Sequence, residues 1–347
     1  MKFAMFARPV VTIYDLPETT KESDGGVVST IGDEGLYGQV CQVRTEPGGV
    51  TADGITLPET MAEVVTFYGY HGYVFASELY FCSEKELRGY LSAELVLAGR
   101  ATDVLTLPKV QGVRLAELER GAVLRRLPDP EAEAHTGYIS AAHKAGAVEA
   151  EAHTGWAKVG LVDGCSGYVR DVALEPVRFS MTAVFTQEAG RTFDEALAKA
   201  EGCKPEELVP RAMDRWFGGS EEAFRNALAE QAKKYLGTEY RWGGKSGRGI
   251  DCSGLVSSAY MQCGVLIYRD AKLVEGWPMH KIPLEQAKRG DALYFPGHIA
   301  LYLGEERYIH STGAARSGGV VLNSLDPADP LYREDLVKSL YAVGSLF

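Results

Sequence analysis

No apolar stretch among the 347 residues approaches the roughly 18 that cross a bilayer as a helix, so neither a membrane segment nor a membrane partner is expected. Cysteine is sparse and dispersed: the six, at 41, 82, 165, 203, 252 and 263, include no CxxC pair. That excludes zinc-ribbon and thioredoxin patterns, and scattered thiols in a chain of this length are expected to be reduced. Positive charge is in deficit. Against 47 Asp and Glu stand 36 Lys and Arg, a formal charge of −11, which argues against nucleic acid and anionic wall polymers as partners. The opening residues, MKFAMFARPVVTIYDLP, carry neither an apolar signal core nor a small-residue cleavage site, and they run straight into a strand pattern. The start of a folded domain and a cytoplasmic location are the expectations.

The charge is unevenly spread. Residues 1–230 hold 22 Lys and Arg against 35 Asp and Glu, a balance of −13, whereas residues 231–347 hold 14 against 12, a balance of +2. A near-neutral C-terminal third suits a substrate carrying carboxylates, although a solvated acidic surface elsewhere explains the same numbers.

The chain repeats itself. VTIYDLP (11–17) is echoed by TDVLTLP (102–108), YGQVCQV (37–43) by RGAVLRR (120–126), and GYVFASEL (72–79) by GYVRDVAL (167–174). The order is the same both times, so two copies of one small β domain are expected, each a barrel of short strands between Gly, Pro and Asp punctuation. The second copy carries an insertion with its own echo, EAEAHTG at 131–137 and 149–155. Residues 190–230 turn to amphipathic helical patterns, with Ser220 before Glu221 and Glu222 as a helix start. From 291 onward the pattern is strands, so a helix followed by antiparallel strands predicts an α+β domain.

GIDCSGLVSSAY (249–260) sets one cysteine at the head of an apolar-periodic run. Asp251 is an N-cap, Leu255, Val256, Ala259 and Tyr260 recur at helical spacing, and Gly264 ends the helix. In a first turn the unpaired amides and the helix dipole favour thiolate, so Cys252 is either a nucleophile or a small core hydrophobe. In GHIALYLGEERYIHS, His298, Ala300 and Tyr302 share one strand face, and a turn at Gly304 would set His298 opposite His310 about 5 Å away. A base with a second imidazole beside it is triad logic. Zinc held by Cys252, His298 and His310 is the competing reading, disfavoured because no closely spaced ligand pair exists. GGKS (243–246) lacks the earlier glycine of a phosphate loop, and His71 and His280 have no evident partners.

Five ordered motifs, YRWGG (240–244), DCSG (251–254), RGDALYF (289–295), HIALYLG (298–304) and YIHS (308–311), resemble the NlpC family of papain-like cysteine peptidases. The resemblance covers residues 231–347. It implies an α+β papain-like catalytic domain that needs no cofactor or metal. Its substrates would be peptidoglycan-derived peptides, cut between γ-D-glutamate and diaminopimelate or lysine. It also implies Cys252 as nucleophile, His298 as base, His310 as the residue orienting it, and Tyr240 with the Cys252 amide as oxyanion donors. The two repeats resemble bacterial SH3-like domains. Two of them before an NlpC domain is similar to muropeptide-recycling γ-D-glutamyl-L-diamino-acid endopeptidases of the dipeptidyl-peptidase VI type. There the first SH3-like domain narrows the cleft to a free N-terminal L-Ala-γ-D-Glu. On that resemblance Asp251 binds the ammonium, Ser253 the D-glutamyl carboxylate, and Tyr70 the alanine. The chain departs from the subtype at Gln39, where an acidic residue follows LYG, and at Ala271, where a serine follows RD. The expected organisation is an SH3-like domain over 1–95, a second over 96–185 with an insertion near 129–153, a helical linker over 186–230 and the peptidase domain over 231–347. A papain-like amidase or acyltransferase and a non-catalytic wall-binding module are the rival readings. The intact Cys252, His298 and His310 disfavour the module.

Overall fold

The computed structural model describes residues 2–129, 155–188, 190–314 and 317–347. Apart from Gly155, the EAEAHTG echo at 131–137 and 149–155 lies outside the described residues. Besides a small hairpin of Thr20–Ser23 and Gly26–Ser29, the first β unit has a seven-stranded sheet, in chain order Lys2–Phe6, Val10–Tyr14, Ile31–Leu36, Val40–Thr45, Met61–Thr66, His71–Phe75 and Leu79–Cys82. The second has Leu95–Ala98, Thr102–Leu105, Arg114–Leu118, Val123–Arg126, Trp156–Gly160, Ser166–Arg170 and Leu174–Pro176. Counted within each unit, both sheets run third, second, sixth, fifth, fourth, first, seventh, and both insert a 3₁₀ turn before the seventh strand. All three sequence echoes fall on equivalent strands, so the internal repeat is a repeat of topology. Apolar alternation drives it: in Val10–Tyr14, Val11 and Ile13 point inward and their neighbours are half-buried. Neither sheet is closed by a ladder between its third and seventh strands among the described residues.

The two β units meet at the turn between the third and fourth strands of the first. Val123 N donates to Tyr37 O at 2.8 Å, Val162 N to Tyr37 Oη at 3.0 Å, and Tyr90 Oη to Gly38 O at 3.0 Å. Gly38 has φ +75°, and a Cβ there would stand 1.9 Å from Val123 O, so only glycine fits the seam. Gln39 is buried in the same seam, donating to Gly121 O at 3.1 Å.

Three capped helices follow. Phe193–Glu201 has a capping box between Thr192 and Glu195, Leu208–Phe217 ends at left-handed Gly218, and Glu221–Lys233 starts at Ser220, whose hydroxyl accepts from Ala223 N. The last of these crosses the boundary expected at residue 230. Its Phe224, Leu228 and Ala232 share a core with Leu255, Val256, Ala259, Ile299 and Ile309. It therefore packs on the C-terminal unit.

That unit sets the helix Cys252–Gln262 against a six-stranded antiparallel sheet, in the order His280–Ile282, Ala342–Ser345, Ala292–Phe295, His298–Gly304, Arg307–Thr312 and Gly319–Ser324. Every residue of the helix is buried, and apart from Gln262, whose amide donates to Tyr235 Oη, its sequence is apolar or small on all sides. Cys263 and Gly264 (φ +89°) end it, as the sequence predicts. Among the described residues no helix is long and apolar enough to cross a membrane.

Candidate active site

Cys252 opens its helix and is 7% exposed. Asp251 caps it, accepting Gly254 N at 2.5 Å and Gly243 N at 2.9 Å. Gly254 is required by sterics: a Cβ would lie 2.2 Å from Gly244 O, so a side chain here would push the 243–245 loop off the helix. The Ile299 and Ser253 amides both point at the thiol. The first of them belongs to the residue after His298, so the start of the strand that carries this histidine lies against the thiol. Tyr240, on a bridge to Ile250, stands close enough to Cys252 and Asp251 for their charges to reinforce burial in pushing its hydroxyl up to about 12. It therefore remains a protonated donor.

The helix-dipole expectation for the thiol is overturned. Burial and then the neighbouring Asp251 carboxylate push Cys252 up to about 11, outweighing the amides and Arg269. Burial likewise holds His298 down at about 3, helped by His310 and Arg333, and His310 down at about 4. Burial thus favours the neutral form of both the thiol and the imidazole.

The histidines meet, but not by the predicted register. Leu301 pairs with Ile309 and Tyr302 with Tyr308, so Ala300 rather than His298 lies across from His310. Glu305 and Glu306, both at positive φ, make the turn one step later than Gly304, and a bulge precedes it at Tyr302/Gly304. The shift totals two residues, which preserves the face. The two rings are diagonal neighbours with His298 Nε2 and His310 Nδ1 2.7 Å apart. His310 Nε2 lies 2.8 Å from Asn323 Oδ1, a partner the sequence reading missed because nothing marks Asn323 before the third strand is paired.

A second set of residues escaped the sequence reading. Asp33, on the strand Ile31–Leu36 of the first β unit, is fully buried between two cations of the C-terminal unit. Arg269 Nε donates to its Oδ1 at 2.5 Å and Lys245 Nζ to its Oδ2 at 2.9 Å. Tyr68 Oη also donates to Asp33 Oδ2, at 2.5 Å, and the Lys245 ammonium sits 3.7 Å over the Tyr68 ring. Burial alone would raise the Asp33 carboxyl, but Arg269 and Lys245 hold it below the usual carboxylate range. Burial brings Lys245 down to about 8 against that pull.

Arg269 continues inward. Its Nη1 donates to Ser253 Oγ at 2.7 Å and to Asp251 Oδ1 at 3.1 Å, and its Nη2 to Asp251 Oδ2 at 3.2 Å. The two substrate-binding candidates beside Cys252 are thus tied through one guanidinium to the first β unit. Tyr70 arrives from the same unit, its hydroxyl donating to Asp15 Oδ1 at 2.8 Å. It lines a cavity of about 270 Å³ with Tyr68, Tyr268, Arg269, Asp270 and Trp277, at the seam between the units. Gln39 does not reach this seam. His71 also lines this cavity and pairs with Glu63 at 2.7 Å, while His280 is exposed on an edge strand. Among the described residues no three His, Cys, Asp or Glu side chains are grouped to hold a metal ion.

Comparison with known proteins matches residues 237–333 to the NlpC/P60 family. Dipeptidyl-peptidase 6 of Lysinibacillus sphaericus is 34% identical over 315 residues, spanning 91% of this chain and 92% of that protein. A gamma-D-glutamyl-L-lysine dipeptidyl-peptidase of Bacillus cereus is 29% identical over 135 residues, 33% of this chain and 40% of that protein. The crystal structure of an NlpC/P60 family protein from Bacillus cereus superposes with a TM-score of 0.61 over 98% of both chains at 16% identity, a likeness of fold.

Proposed function

Because the chain belongs to the NlpC/P60 family of cysteine peptidases, we propose that it hydrolyses the γ-D-Glu–diamino acid bond of free muropeptides, releasing L-Ala-γ-D-Glu in cell-wall recycling. The observation that carries this reading is the buried Cys252 at a helix start, its sulfur facing the amide of Ile299 on the strand that carries His298, itself hydrogen-bonded to His310. The names of the two relatives support the bond and the dipeptide product.

In the proposed mechanism His298 takes the Cys252 proton as the sulfur attacks the γ-carbonyl, so a neutral resting pair needs no preformed thiolate. Tyr240 and the Cys252 amide hold the oxyanion, and the amide makes no backbone bond among the described residues. The tetrahedral intermediate expels the diamino acid, whose nitrogen takes the proton back from His298. Water then attacks the thioester with His298 again as base, returning the thiol and the dipeptide acid.

Ser253 is the proposed contact for the D-glutamyl carboxylate, and Arg269 directly behind it supplies the positive charge. An ammonium at Asp251 would share oxygens that already hold Arg269, Ser253 and two amides. Tyr70, in the seam cavity, is the proposed alanine contact. We read the two β units as SH3-like domains, over 1–95 and 96–185, ahead of a helical linker and the peptidase domain. The six unpaired cysteines are consistent with a reducing, cytoplasmic setting.

The test is to incubate the protein with L-Ala-γ-D-Glu-diaminopimelate, with its N-acetylated form and with intact sacculi, and identify products by mass. Release of L-Ala-D-Glu from the free tripeptide, with kcat/KM at least about a hundredfold lower for the acetylated form, is expected from the loss of one charge-assisted contact plus added bulk. Equal rates on the two peptides would remove the gating but leave the peptidase. Cleavage of neither peptide would remove the proposed substrate.

A further inference from the structure

We infer that Asn323 is a positioning residue of the reaction, selecting the tautomers of both histidines so that His298 meets the thiol with an unprotonated nitrogen. The inference rests on Cys252 and His298 being the reacting pair. Its premise is a chain of four polar contacts that leads away from the site and ends on the backbone.

The chain is best followed from its far end. Asn323 Nδ2 donates to Leu331 O at 2.7 Å, which decides which end of the amide is nitrogen. Leu331 O is itself held, accepting Ser324 N at 3.0 Å, and the neighbouring Tyr332 is bridged in parallel to Ser324. The other end of the amide, Oδ1, can only accept, so His310 Nε2 at 2.8 Å carries a hydrogen. Burial keeps His310 neutral, and a neutral imidazole has one N–H. His310 Nδ1 is therefore a bare acceptor, and His298 Nε2, 2.7 Å away, carries the hydrogen of that contact. His298 is also neutral, so its Nδ1 is left unprotonated.

When the thiol S–H bond breaks, the proton forms an N–H bond at His298 Nδ1. The new imidazolium keeps its Nε2–H on His310, and no proton travels further. Reversing the amide, or losing it, frees His310 to carry its hydrogen on Nδ1. His298 would then face the wrong end of its partner, and its own tautomer would no longer be set.

The charged and titratable groups facing this face of the sheet are few. Arg333 opposes a positive charge on either histidine, Asp335 favours one, and the two are paired with each other at 2.6 Å at the start of the helix Glu334–Ser339. Tyr308, buried on the same face with its ring against His310, has a hydroxyl without a partner among the described residues. Asn323 is the neutral side chain that hydrogen-bonds to the pair.

The experiment compares Asn323→Leu and Asn323→Asp with the unmodified protein. The first readout is the ¹⁵N spectrum of histidine-labelled protein, which needs no substrate and so separates failure of this inference from failure of the proposed substrate. In the unmodified protein His310 should report the Nε2–H form and His298 likewise; in Asn323→Leu His310 should shift to mixed tautomers. On the muropeptide, Asn323→Leu should lower kcat about tenfold to a hundredfold with KM within about twofold. Asn323→Asp restores the acceptor and adds a negative charge that stabilises imidazolium, so it should recover most of kcat. It should also move the histidine limb of the pH profile upward. Unchanged tautomers in Asn323→Leu, or a pH profile that Asn323→Asp leaves in place, would overturn the inference.

Discussion

At Cys252 two opposing effects act on one sulfur. A first-turn position favours thiolate by a partial positive charge, but the site is dry and Asp251 sits next door, so the thiol stands near 11 rather than below its ordinary value of 9.0. The sign is testable. A raised thiol pKa means the thiolate is a minor form at neutral pH and grows as pH rises. Alkylation of the resting enzyme by iodoacetamide should therefore climb about tenfold per pH unit between pH 7 and 9. A rate plateau beginning below pH 7 would reveal a preformed thiolate–imidazolium pair instead. The neighbouring histidines have the complementary sign. Both are buried neutral, with folded values near 3 and 4 against 6.5 for the free side chain. Their contribution to stability is complete above about pH 6.5 and is lost as pH falls toward those folded values, because the unfolded chain then binds protons the fold refuses.

At the scale of elements, the Cys252 helix, the strand Ile31–Leu36 and the loop around Lys245 form one electrostatic unit. Arg269 is 3% exposed and Asp33 0%, so each depends on the other for compensation. Removing one member of such a set strands a buried charge, a loss of about 3–5 kcal/mol. Asp33→Asn should therefore lower the urea midpoint sharply, and it should also depress kcat, since Arg269 is what clamps Asp251 and Ser253 around the nucleophile. A variant with unchanged stability would mean that water, not Asp33, compensates Arg269. The hairpin carrying the histidines shows how far such contacts could be read beforehand. Face and strand assignment followed from alternation at His298, Ala300 and Tyr302, because a shift of two residues keeps the face. The direct pairing did not follow, because two positive-φ glutamates and a bulge are properties of the folded turn.

For the whole molecule, the first β unit is part of the catalytic unit's interior. Its Asp33 balances Lys245 and Arg269, its Ile31 carbonyl accepts from Trp242 Nε1 at 3.0 Å, and its Tyr70 closes the seam cavity. Deleting residues 1–95 should therefore give a protein that is poorly folded and inactive on every muropeptide. It should not give an open enzyme with relaxed demand for a free N-terminus. Circular dichroism melting alongside the peptide assay distinguishes the two, and a cooperative melt with activity on acetylated peptide would favour the tether view of the unit.

By itself the sequence determined what local periodicity and order can carry: the doubled β topology, the capped helix beginning at Cys252, the strand faces of His298 and His310, and the family through five ordered motifs. These are properties of neighbours in the chain or of spacings that survive small shifts. Only the tertiary structure revealed the upward pull on the Cys252 thiol, because desolvation depends on what surrounds the sulfur. Only it joined Asp33 to Arg269 across 236 positions and Asn323 to His310 across a strand pair, since neither aspartate nor asparagine announces a partner from its own neighbourhood. The same long-range packing turned Gln39 into a seam residue and gave Asp251 to Arg269.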